Sequence, residues 1–557
     1  METARPWLSD YPPGVPEYID LGRYRSVTHM FDQACSKYEH LPAFTNMGKT
    51  LTYGELDRLA RSFAAFLHSL PGLAPGERIA IMMPNLLQYP VAIFGALRAG
   101  LIVVNVNPLY TERELEHQLK DSGASAILVL ENFASKVEKV IPATSLKHVI
   151  VTQVGDMLDL PRRVLINVAV AHIKKMVPKW DIKGALQFRH VLSAGYKLTP
   201  PTLKIRTDDI AFLQYTGGTT GVSKGVILTH ANIVANVLQC GSWITGTLRE
   251  KEEVVLTPLP LYHVFSLVAN CLTFMTLGGL NVLITNPKDL PSFVKTMQSF
   301  PWTVMTGVNT LYNTLANTAG FGPGCARNAK LSIGAGAAML RPVMARWTEL
   351  TKAPLIEGYG LSESTAGVCI TPPGSARPGS VGIPLPSTEV RIRNDDGKPC
   401  PPGEPGEIEV RGPQVMKGYW GRPAETADVL SADGWLKTGD IGTMDANGWV
   451  SITDRKKDMI IVSGFNVYPA EIEAVVSTHP GVLEAAAIGI ADAHSGEAVK
   501  LFVVRKDPAL TTDDLLAHCG TNLTRYKIPR QIEFRAELPK TPIGKILRRA
   551  LRDVASQ

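Results

Sequence analysis

The sequence contains few cysteines, and none of them form a closely spaced pair. Seven are spread along 557 residues, namely Cys35, Cys240, Cys271, Cys325, Cys369, Cys400 and Cys519. An odd number at such wide spacing indicates neither a disulfide framework nor a zinc cluster, and it is typical of a reducing compartment.

The sequence also lacks a long apolar run and a concentrated basic stripe. No clean apolar stretch reaches the roughly 18 residues that a membrane-spanning helix needs. Residues 1–14 show neither the basic nor the apolar region of a signal peptide, so we expect a cytoplasmic protein. The formal net charge of +6 is spread along the chain, which favours anionic small molecules or a membrane surface over a nucleic acid as partner.

One segment qualifies this expectation. Residues 161–180 read PRRVLINVAVAHIKKMVPKW, without an acidic residue. Its apolar stretch is flanked by basic residues: Arg162, Arg163, Lys174, Lys175 and Lys179. Such a segment can lie in a membrane interface with its basic ends on the headgroups. An ordinary surface helix with one buried face would give the same pattern, and the sequence leaves both interpretations open.

Length and patterning predict a multidomain α/β protein. The length favours two or more domains, and strand-like runs such as 78–82 and 101–104 alternate with helix-like segments. This order predicts a large N-terminal domain of doubly wound sheets, residues 1–454. Within it, short alternating runs between turns predict a small β-barrel at about 379–453. The charged stretch near Asp454 predicts a boundary, followed by a smaller mobile α+β domain of residues 455–557.

The densest motif is YTGGTTGVSKG, from Tyr215 to Gly225, directly after a strand-like run. Glycines allow a tight turn that presents backbone N–H groups, and the hydroxyl groups and Lys224 add donors and charge, which together make a cradle for a polyphosphate. The candidate phosphate-binding residues are Thr216, Gly217, Gly218, Thr219, Thr220, Gly221 and Lys224. It is not a Walker loop, because Lys224 is followed by Gly225. The alternative is a flexible turn without a ligand.

Further motifs follow in a fixed order: PLYHVF (260–265), the glycine segment 334–338, YGLSE (359–363), TGD (438–440), DRKKDMIIVSGFNVYPAEIE (454–473) and PKTPIGKILRR (539–549). Together with the loop they resemble the adenylate-forming superfamily, which includes acyl-CoA synthetases, peptide-synthetase adenylation domains and beetle luciferases. Residues 433–457 resemble the fatty acyl-CoA synthetase signature, and several segments resemble the bacterial long-chain fatty-acid–CoA ligases. Ser362 and Lys437 depart from the more usual threonine and histidine.

The resemblance implies a reaction. ATP and a long-chain fatty acid would give acyl-AMP and pyrophosphate, and coenzyme A would then displace AMP, with Mg²⁺ as cofactor. The implied catalytic residues are Lys545, His263 and Glu363, and Glu363 is also the implied metal ligand. Further implied ATP-binding residues are Gly336, Ala337, Tyr359, Gly360, Ser362, Asp440 and Arg455.

The resemblance also implies a moving C-terminal domain. Lys457 would be its hinge, and Gly464 would help to form the coenzyme A tunnel. Residues around 307–310 and on the helix after Lys224 would line the acyl tunnel. A homodimer, a peripheral position on the inner face of a membrane and a role in β-oxidation follow from the resemblance alone.

Three other functions compete. A fatty acyl-AMP ligase that loads a carrier protein would carry an inserted block after YGLSE, and none is evident between Glu363 and Asp440. An oxygen-using luciferase fits the fatty acyl signature less well. A non-catalytic acyl or nucleotide sensor would be expected to lack one of Lys545, Glu363 and Asp440.

Overall fold

The computed structural model describes residues 5–216, 223–377, 379–463, 465–492, 495–541 and 544–555. The first strands are β1 (Pro42–Asn46), β2 (Lys49–Thr52), β3 (Arg78–Met82), β4 (Ile102–Val106), β5 (Ala126–Leu130), β6 (His148–Thr152), β7 (Leu186–Gln187), β8 (Ile210–Tyr215), β9 (Gly225–Thr229), β10 (Val254–Thr257), β11 (Leu280–Leu283), β12 (Val304–Gly307) and β13 (Leu331–Ala335). The later strands are β14 (Leu355–Tyr359), β15 (Cys369–Ile370), β16 (Ile383–Pro384), β17 (Glu389–Arg393), β18 (Gly406–Arg411), β19 (Gly418–Tyr419), β20 (Leu436–Met444), β21 (Val450–Arg455), β22 (Ile460–Val462), β23 (Phe465–Val467), β24 (Val482–Asp492), β25 (Gly496–Arg505) and β26 (Gln531–Arg535).

The α-helices range from 3 to 17 residues in length. They are α1 (Val27–Lys37), α2 (Tyr53–Ser69), α3 (Gln88–Arg98), α4 (Glu112–Ser122), α5 (Ala134–Val140), α6 (Leu160–Val168), α7 (Phe188–Gly195), α8 (His230–Ile244), α9 (Val264–Ser266), α10 (Thr273–Thr276), α11 (Leu290–Ser299), α12 (Asn309–Ala316), α13 (Arg341–Thr351), α14 (Pro423–Val429), α15 (Pro469–Val476), α16 (Thr512–Asn522) and α17 (Arg548–Ala555). Two π-helical segments, Leu267–Leu272 and Ala169–Ile173, continue α9 and α6.

Two large sheets form the N-terminal part, as the alternating pattern predicts. The first has the order β16-β15-β14-β13-β12-β10-β11-β1-β2, and the second β19-β9-β8-β4-β3-β5-β6-β7. Their central strands are parallel; both edges of the first sheet and the β19-β9 edge of the second are antiparallel, whereas β7 pairs parallel with β6 at the other edge. Sequence signals fix the helices between them: Thr52 and Glu55 form a capping box at the start of α2, and nearly every residue of α3 is buried. The predicted α/β class is confirmed.

The predicted small β-barrel is observed as an open sheet. Strands β17-β18-β20-β21 form an antiparallel ladder, and within the described ranges no pairing joins β17 to β21 to close it. Four strands are fewer than barrels use, because a closed sheet must still leave room for side chains inside. An isolated bridge between Gly382 and Val450 instead links β21 to the first sheet.

The last sheet has the order β23-β22-β25-β24, with β26 added parallel to β25. It has its own core of buried apolar residues, including Ile472, Val499 and Leu501. The third sheet ends at Arg455 and this sheet begins at Ile460; the domain boundary near residue 454 stays a prediction. In the part of the chain that the structure describes, no helix is both long and apolar enough to cross a membrane.

Candidate active site

A cleft of about 2170 Å³ lies at the carboxyl ends of strands from both large sheets. Its wall includes Gln214 at the end of β8, Val308 after β12, Gly336 after β13 and Tyr359 at the end of β14. In open α/β sheets, ligands bind at this edge, where successive loops converge. Residues of the third sheet and the segments 537–541 and 544–547 complete the wall.

The ends of the glycine-rich loop lie in this wall. Strands β8 and β9 are antiparallel neighbours, and the backbone N–H of Thr216 donates to the carbonyl of Lys224 at 3.1 Å. The Lys224 ammonium group pairs with Glu425 and lies 5.0 Å from the ring centroid of Tyr419. The predicted residues Gly217, Gly218, Thr219, Thr220 and Gly221 lie outside the described residues.

Glu363 lies on a short turn directly after β14. The turn Ser362–Ser364 is a single 3-10 turn, and Thr365 follows it with φ 67° and ψ −65°, a conformation rarely adopted outside glycine. The Thr365 hydroxyl donates to the carbonyl of Gln414 at 2.7 Å, which holds this turn in place. One carboxylate oxygen of Glu363, Oε1, accepts a hydrogen bond from the Tyr419 hydroxyl at 2.9 Å.

The donor set around Glu363 fits a magnesium ion that is shared with a phosphate ligand. Glu363 lines the cleft, and its hydrogen bond from Tyr419 orients the carboxylate. Burial and the adjacent carboxylate raise the pKa of the Tyr419 hydroxyl, so Tyr419 remains a donor. The described residues contain no cluster of three or more metal-ligating side chains. A single carboxylate suits Mg²⁺, which usually takes one or two carboxylates and completes its shell with phosphate oxygens and water.

A second cluster joins β14 to the third sheet. The Tyr359 hydroxyl donates to Asp440 Oδ2 at 2.7 Å, and Arg455 Nε lies 3.1 Å from Asp440 Oδ1. Asp440 and Arg455 face each other in the β20–β21 ladder. The Asp440 carboxylate raises the pKa of Arg455, and burial raises that of Tyr359. The buried carboxylate is therefore flanked by a cation and a neutral donor, one at each oxygen. Asp440 itself is not among the residues of the cleft wall, whereas its neighbours Thr438 and Gly439 are.

Lys545 lies near both His263 and Arg455. Burial and the charge of Arg455 lower the pKa of Lys545 to about 8. Burial and the charge of Lys545 lower the pKa of His263 to about 4, so His263 is neutral at physiological pH. Its Nδ1 accepts a long hydrogen bond, 3.4 Å, from the N–H of Phe265, which favours a proton on Nε2. The pair thus offers a cation and a neutral N–H donor.

The loop that carries Lys545 is held from both sides. Within the loop, Lys545 N–H donates to the Thr541 hydroxyl at 3.0 Å. Across the cleft, the Thr310 hydroxyl donates to the carbonyl of Gly544 at 3.0 Å. At Gly544, where φ is 88°, an added Cβ would lie 2.8 Å from Thr310 Oγ1. Glycine is therefore required for this close approach.

An apolar arm of the cleft runs between α8 and the first sheet. It is lined by Cys240, Ile244, Phe274, Ile333 and Ile370, which belong to one apolar cluster. The helix after Lys224, expected to line an acyl tunnel, thus forms one side of this arm, and Val308 and Thr310 lie in the cleft wall. Such a surface suits an extended apolar ligand.

Not all of the remaining predicted residues lie in the cleft wall. Gly360, Ser362 and Lys457 line the cleft, as does Gly336 with φ 79°. Ala337 is not among the residues of the cleft wall. Gly464 lies outside the described residues.

Sequence reasoning did not identify Tyr419 and Glu425, which contact Glu363 and Lys224. Tyr419 reaches the site because β19 pairs with β9 across a long stretch of chain. The only local signal is the motif GYW at 418–420, which by itself is typical of any half-buried strand.

Glu357 is a further buried acid next to the site, on β14. It accepts a hydrogen bond from the N–H of Met339 at 3.0 Å, and it is 7% exposed. Burial raises its pKa from about 4.5 to about 7. It therefore stabilises the loop after β13 through its acceptor oxygen, while its charged form is disfavoured.

Glu357→Gln is expected to stabilise the protein in a pH-dependent way. As the pH rises from about 4.5 to about 7, the carboxyl group of Glu357 loses its proton in the unfolded state but keeps it in the folded state. The free energy of unfolding of the wild type therefore falls with rising pH, by up to about 3 kcal/mol. Glutamine keeps an acceptor for Met339 and does not titrate. Denaturant midpoints should therefore favour the variant more at pH 8 than at pH 4.5. A difference between the two proteins that does not change with pH would contradict this expectation.

Family comparisons cover most of the chain. The model of the AMP-binding enzyme family matches residues 31–420, and that of the AMP-binding enzyme C-terminal domain matches residues 471–545. A long-chain-fatty-acid–CoA ligase of Salmonella typhimurium is 52% identical over 550 residues, 99% of this chain and 98% of that protein. Proteins of the same name from Haemophilus influenzae and Bacillus subtilis are 50% and 38% identical, over 98% and 99% of this chain and 98% of each relative.

Solved structures show the same architecture. An anthranilate CoA ligase in complex with anthranoyl-AMP superposes with a TM-score of 0.83 at 25% identity, over 98% of each chain. ATP-bound MatB from Rhodopseudomonas palustris gives 0.82 at 27% identity, over 96% of this chain and 99% of that one. The similarity therefore includes both the large sheets and the C-terminal sheet.

Proposed function

The chain belongs to the AMP-binding enzyme family, and on that premise we propose that it is a long-chain-fatty-acid–CoA ligase. Full-length relatives of that name at 50–52% identity support this activity. The reaction forms an acyl-adenylate from the fatty acid and ATP, and then the coenzyme A thioester. The residue roles proposed below rest on one observation: five candidate residues from distant parts of the sequence line one cleft. They are Lys545, His263, Glu363, Tyr359 and Arg455.

The first half-reaction requires the negative charge that develops at the α-phosphate to be stabilised. A carboxylate oxygen of the fatty acid attacks that phosphorus, and the bond to pyrophosphate breaks. We propose that the Lys545 ammonium group stabilises the negative charge that develops between the carboxylate and the phosphate. Preorganised cations in a partly water-excluded site stabilise such charge. The Nε2–H of neutral His263 orients the carboxylate by donating a hydrogen bond. The apolar arm beside α8 takes the acyl chain.

A second set of residues in and beside the cleft would bind the nucleotide. Asp440 accepts from the ribose hydroxyls, while Arg455 and Tyr359 fix its orientation. Lys224 and the flanks of the glycine-rich loop face the phosphates. Glu363 would hold Mg²⁺, which supplies neutralisation of phosphate charge when it is bound. Tyr419 keeps the Glu363 carboxylate directed into the cleft.

The second half-reaction breaks the bond between the acyl carbon and AMP. The sulfur of coenzyme A attacks that carbon, its proton is released, and AMP leaves. We propose that residues 455–557 form a mobile domain that rotates about Lys457 between the two steps, since the contact from Thr310 to Gly544 fixes the lysine loop in the cleft where coenzyme A must enter. Rotation of a domain about a few residues is a common gating device.

Lys457→Pro is expected to slow thioester formation about ten-fold or more relative to adenylation, because proline fixes φ and resists the rotation. Lys457→Ala is the matched control: it removes the side chain, leaves the backbone free and should preserve the ratio of the two rates. Rapid-quench measurement of palmitoyl-AMP and palmitoyl-CoA separates the steps. Equal losses in both steps for the proline variant would show that Lys457 is not the hinge.

The activity is tested with purified protein, ATP, Mg²⁺ and palmitate, with and without coenzyme A. Release of AMP and palmitoyl-CoA that depends on coenzyme A supports the ligase. Palmitoyl-AMP that coenzyme A does not consume would instead indicate a carrier-loading ligase. That alternative is not favoured, since full-length relatives named as CoA ligases match without a large gap in coverage. A series of chain lengths defines the acyl preference.

We propose a cytoplasmic enzyme, because its seven cysteines are widely spaced, which is typical of a reducing compartment. We also propose a homodimer, on the resemblance to its family. We also propose peripheral contact with the inner face of a membrane, through the basic and apolar residues of the segment 161–180.

A further inference from the structure

The segment that carries Lys545 is tied to the last sheet by apolar and charged contacts. Helix α17 follows it closely, and Leu551 of this helix is buried in an apolar cluster formed with strands β24 and β25. Arg548, the first residue of α17, donates two hydrogen bonds to the Glu473 carboxylate of α15, at 3.0 and 2.7 Å. The neighbouring Ile472 belongs to the core of the same sheet. The lysine segment, α17, α15 and the last sheet are therefore expected to move together.

Asp454 belongs to the other side of the proposed hinge. It lies on β21 of the third sheet, opposite β20, and its side chain is 3% exposed. Its Oδ1 accepts from the Arg548 guanidinium group at 3.0 Å, and its Oδ2 accepts from the backbone N–H of Ala470, at the start of α15, at 2.8 Å. Both donors follow Lys457 in the chain. This one carboxylate therefore joins the third sheet to the elements that carry Lys545.

Asp458 makes a similar contact that does not cross the hinge. Its carboxylate accepts from Arg548 at 3.2 Å and from Arg552 at 2.8 Å. All three residues follow Lys457, so a rotation about Lys457 would leave these ion pairs intact. The two contacts of Asp454 would instead have to break, because their two ends would move apart.

Buried hydrogen bonds to a charged group stabilise the arrangement in which they form more than neutral ones do. The contacts of Asp454 therefore favour the orientation in which Lys545 lies in the cleft. We propose that Asp454 is a positioning residue for adenylation: it locks Lys545 in the cleft, and it releases Arg548 and the Ala470 N–H before thioester formation. The inference rests on the proposed function and adds to it the residue that sets the balance between the two half-reactions.

Asp454→Asn is expected to raise the rate of thioester formation relative to the rate of adenylation by about ten-fold. Asparagine has nearly the same size but lacks the charge and offers a single acceptor oxygen, so one of the two contacts is lost. Because each half-reaction requires its own orientation, the ratio of the two rates follows the equilibrium between them. Rapid-quench experiments measure palmitoyl-AMP formed from ATP and palmitate, and palmitoyl-CoA formed from supplied palmitoyl-AMP and coenzyme A.

Asp458→Asn is the matched control, because it makes the same change beside the same guanidinium group on the moving side of the hinge. It should lower the denaturant midpoint, as Asp454→Asn does, but leave the ratio of rates within about two-fold of wild type. Equal changes of the ratio in both variants, or no change in either, would overturn the proposal while wild type still carries out both steps. Absence of palmitoyl-AMP with wild type would refute the proposed function and this inference together.

A measurement on wild type does not depend on the variants folding. Amide hydrogen exchange of the peptide that contains Ala470 is followed with α,β-methylene-ATP and palmitate, and separately with palmitoyl sulfamoyl adenosine and coenzyme A. Opening of the lock should make exchange at Ala470 about ten-fold faster or more in the second mixture. Equal exchange in the two mixtures would overturn the proposal.

Discussion

Lys545→Ala is expected to lower the rate of palmitoyl-AMP formation by about 10²–10³-fold, the cost of removing one preorganised group that stabilises transition-state charge. The physical reason is its position: Lys545 lies beside His263 and Arg455, and burial already lowers its pKa to about 8. A cation that has given up solvation in the free protein is poised to interact with an incoming carboxylate and phosphate. Thioester formation from supplied palmitoyl-AMP and coenzyme A should be within a few-fold of wild type.

Two controls make this result specific. Lys540 lies on the same segment but pairs with Glu484 at 2.8 Å, so Lys540→Ala should leave adenylation nearly unchanged. The pH profile is the second control: adenylation by wild type, as kcat/KM, should fall as pH rises through about 8, where the free enzyme loses the Lys545 cation. The residual activity of Lys545→Ala should lack this fall. Equal loss of both half-reactions in Lys545→Ala would contradict the assigned role.

Gly360→Ala is expected to destabilise the protein by about 3 kcal/mol or more and to abolish most activity. A Cβ at this position would lie 1.4 Å from the carbonyl oxygen of Ala366 and 2.5 Å from its carbon. Neither atom can move away alone, because Ala366 belongs to the turn that Thr365 and Gln414 hold in place. The turn that carries Glu363 would therefore have to shift.

Gly358→Ala is the matched stability control, two residues earlier. An added Cβ there would make only ordinary contacts, the nearest being 3.6 Å from Ile370. Denaturant midpoints should place Gly358→Ala near wild type and Gly360→Ala well below it. Similar midpoints for all three proteins would mean that the turn is not tightly constrained, and the account of how Glu363 is positioned would fail.

Much of the fold could be predicted from the sequence because its signals are local. Apolar runs such as 78–82 alternate with helical periodicity, and threonine–glutamate capping boxes mark helix starts, so the α/β class and doubly wound sheets follow directly. The closure of the small sheet could not be predicted. Whether strands close into a barrel depends on which edges meet, and here Val450 bridges Gly382 instead.

The candidate site, like the fold, could be predicted from the sequence only in part. Tyr359, Glu363 and Arg455 were identified through motifs. Tyr359 ends β14 and Glu363 follows it, whereas Arg455 ends β21 of the third sheet and reaches the same cleft from there. Tyr419 was missed because its place depends on the pairing of β19 with β9. The contact of Thr310 with Gly544 likewise joins two parts of the chain that share no local pattern. The sequence left open whether the apolar side of α6 is buried, because side-chain periodicity does not tell which face of a helix is buried. In the structure, no residue of α6 is buried.

The central claim is that the acyl group passes through an adenylate, and oxygen labelling tests it most directly. Palmitate labelled with ¹⁸O in its carboxylate is incubated with the protein, ATP, Mg²⁺ and coenzyme A, and the nucleotide product is analysed by mass spectrometry. Attack of the carboxylate on the α-phosphate places one labelled oxygen in AMP, which is the predicted result. Formation of ADP with labelled phosphate, or of AMP without label, would contradict it.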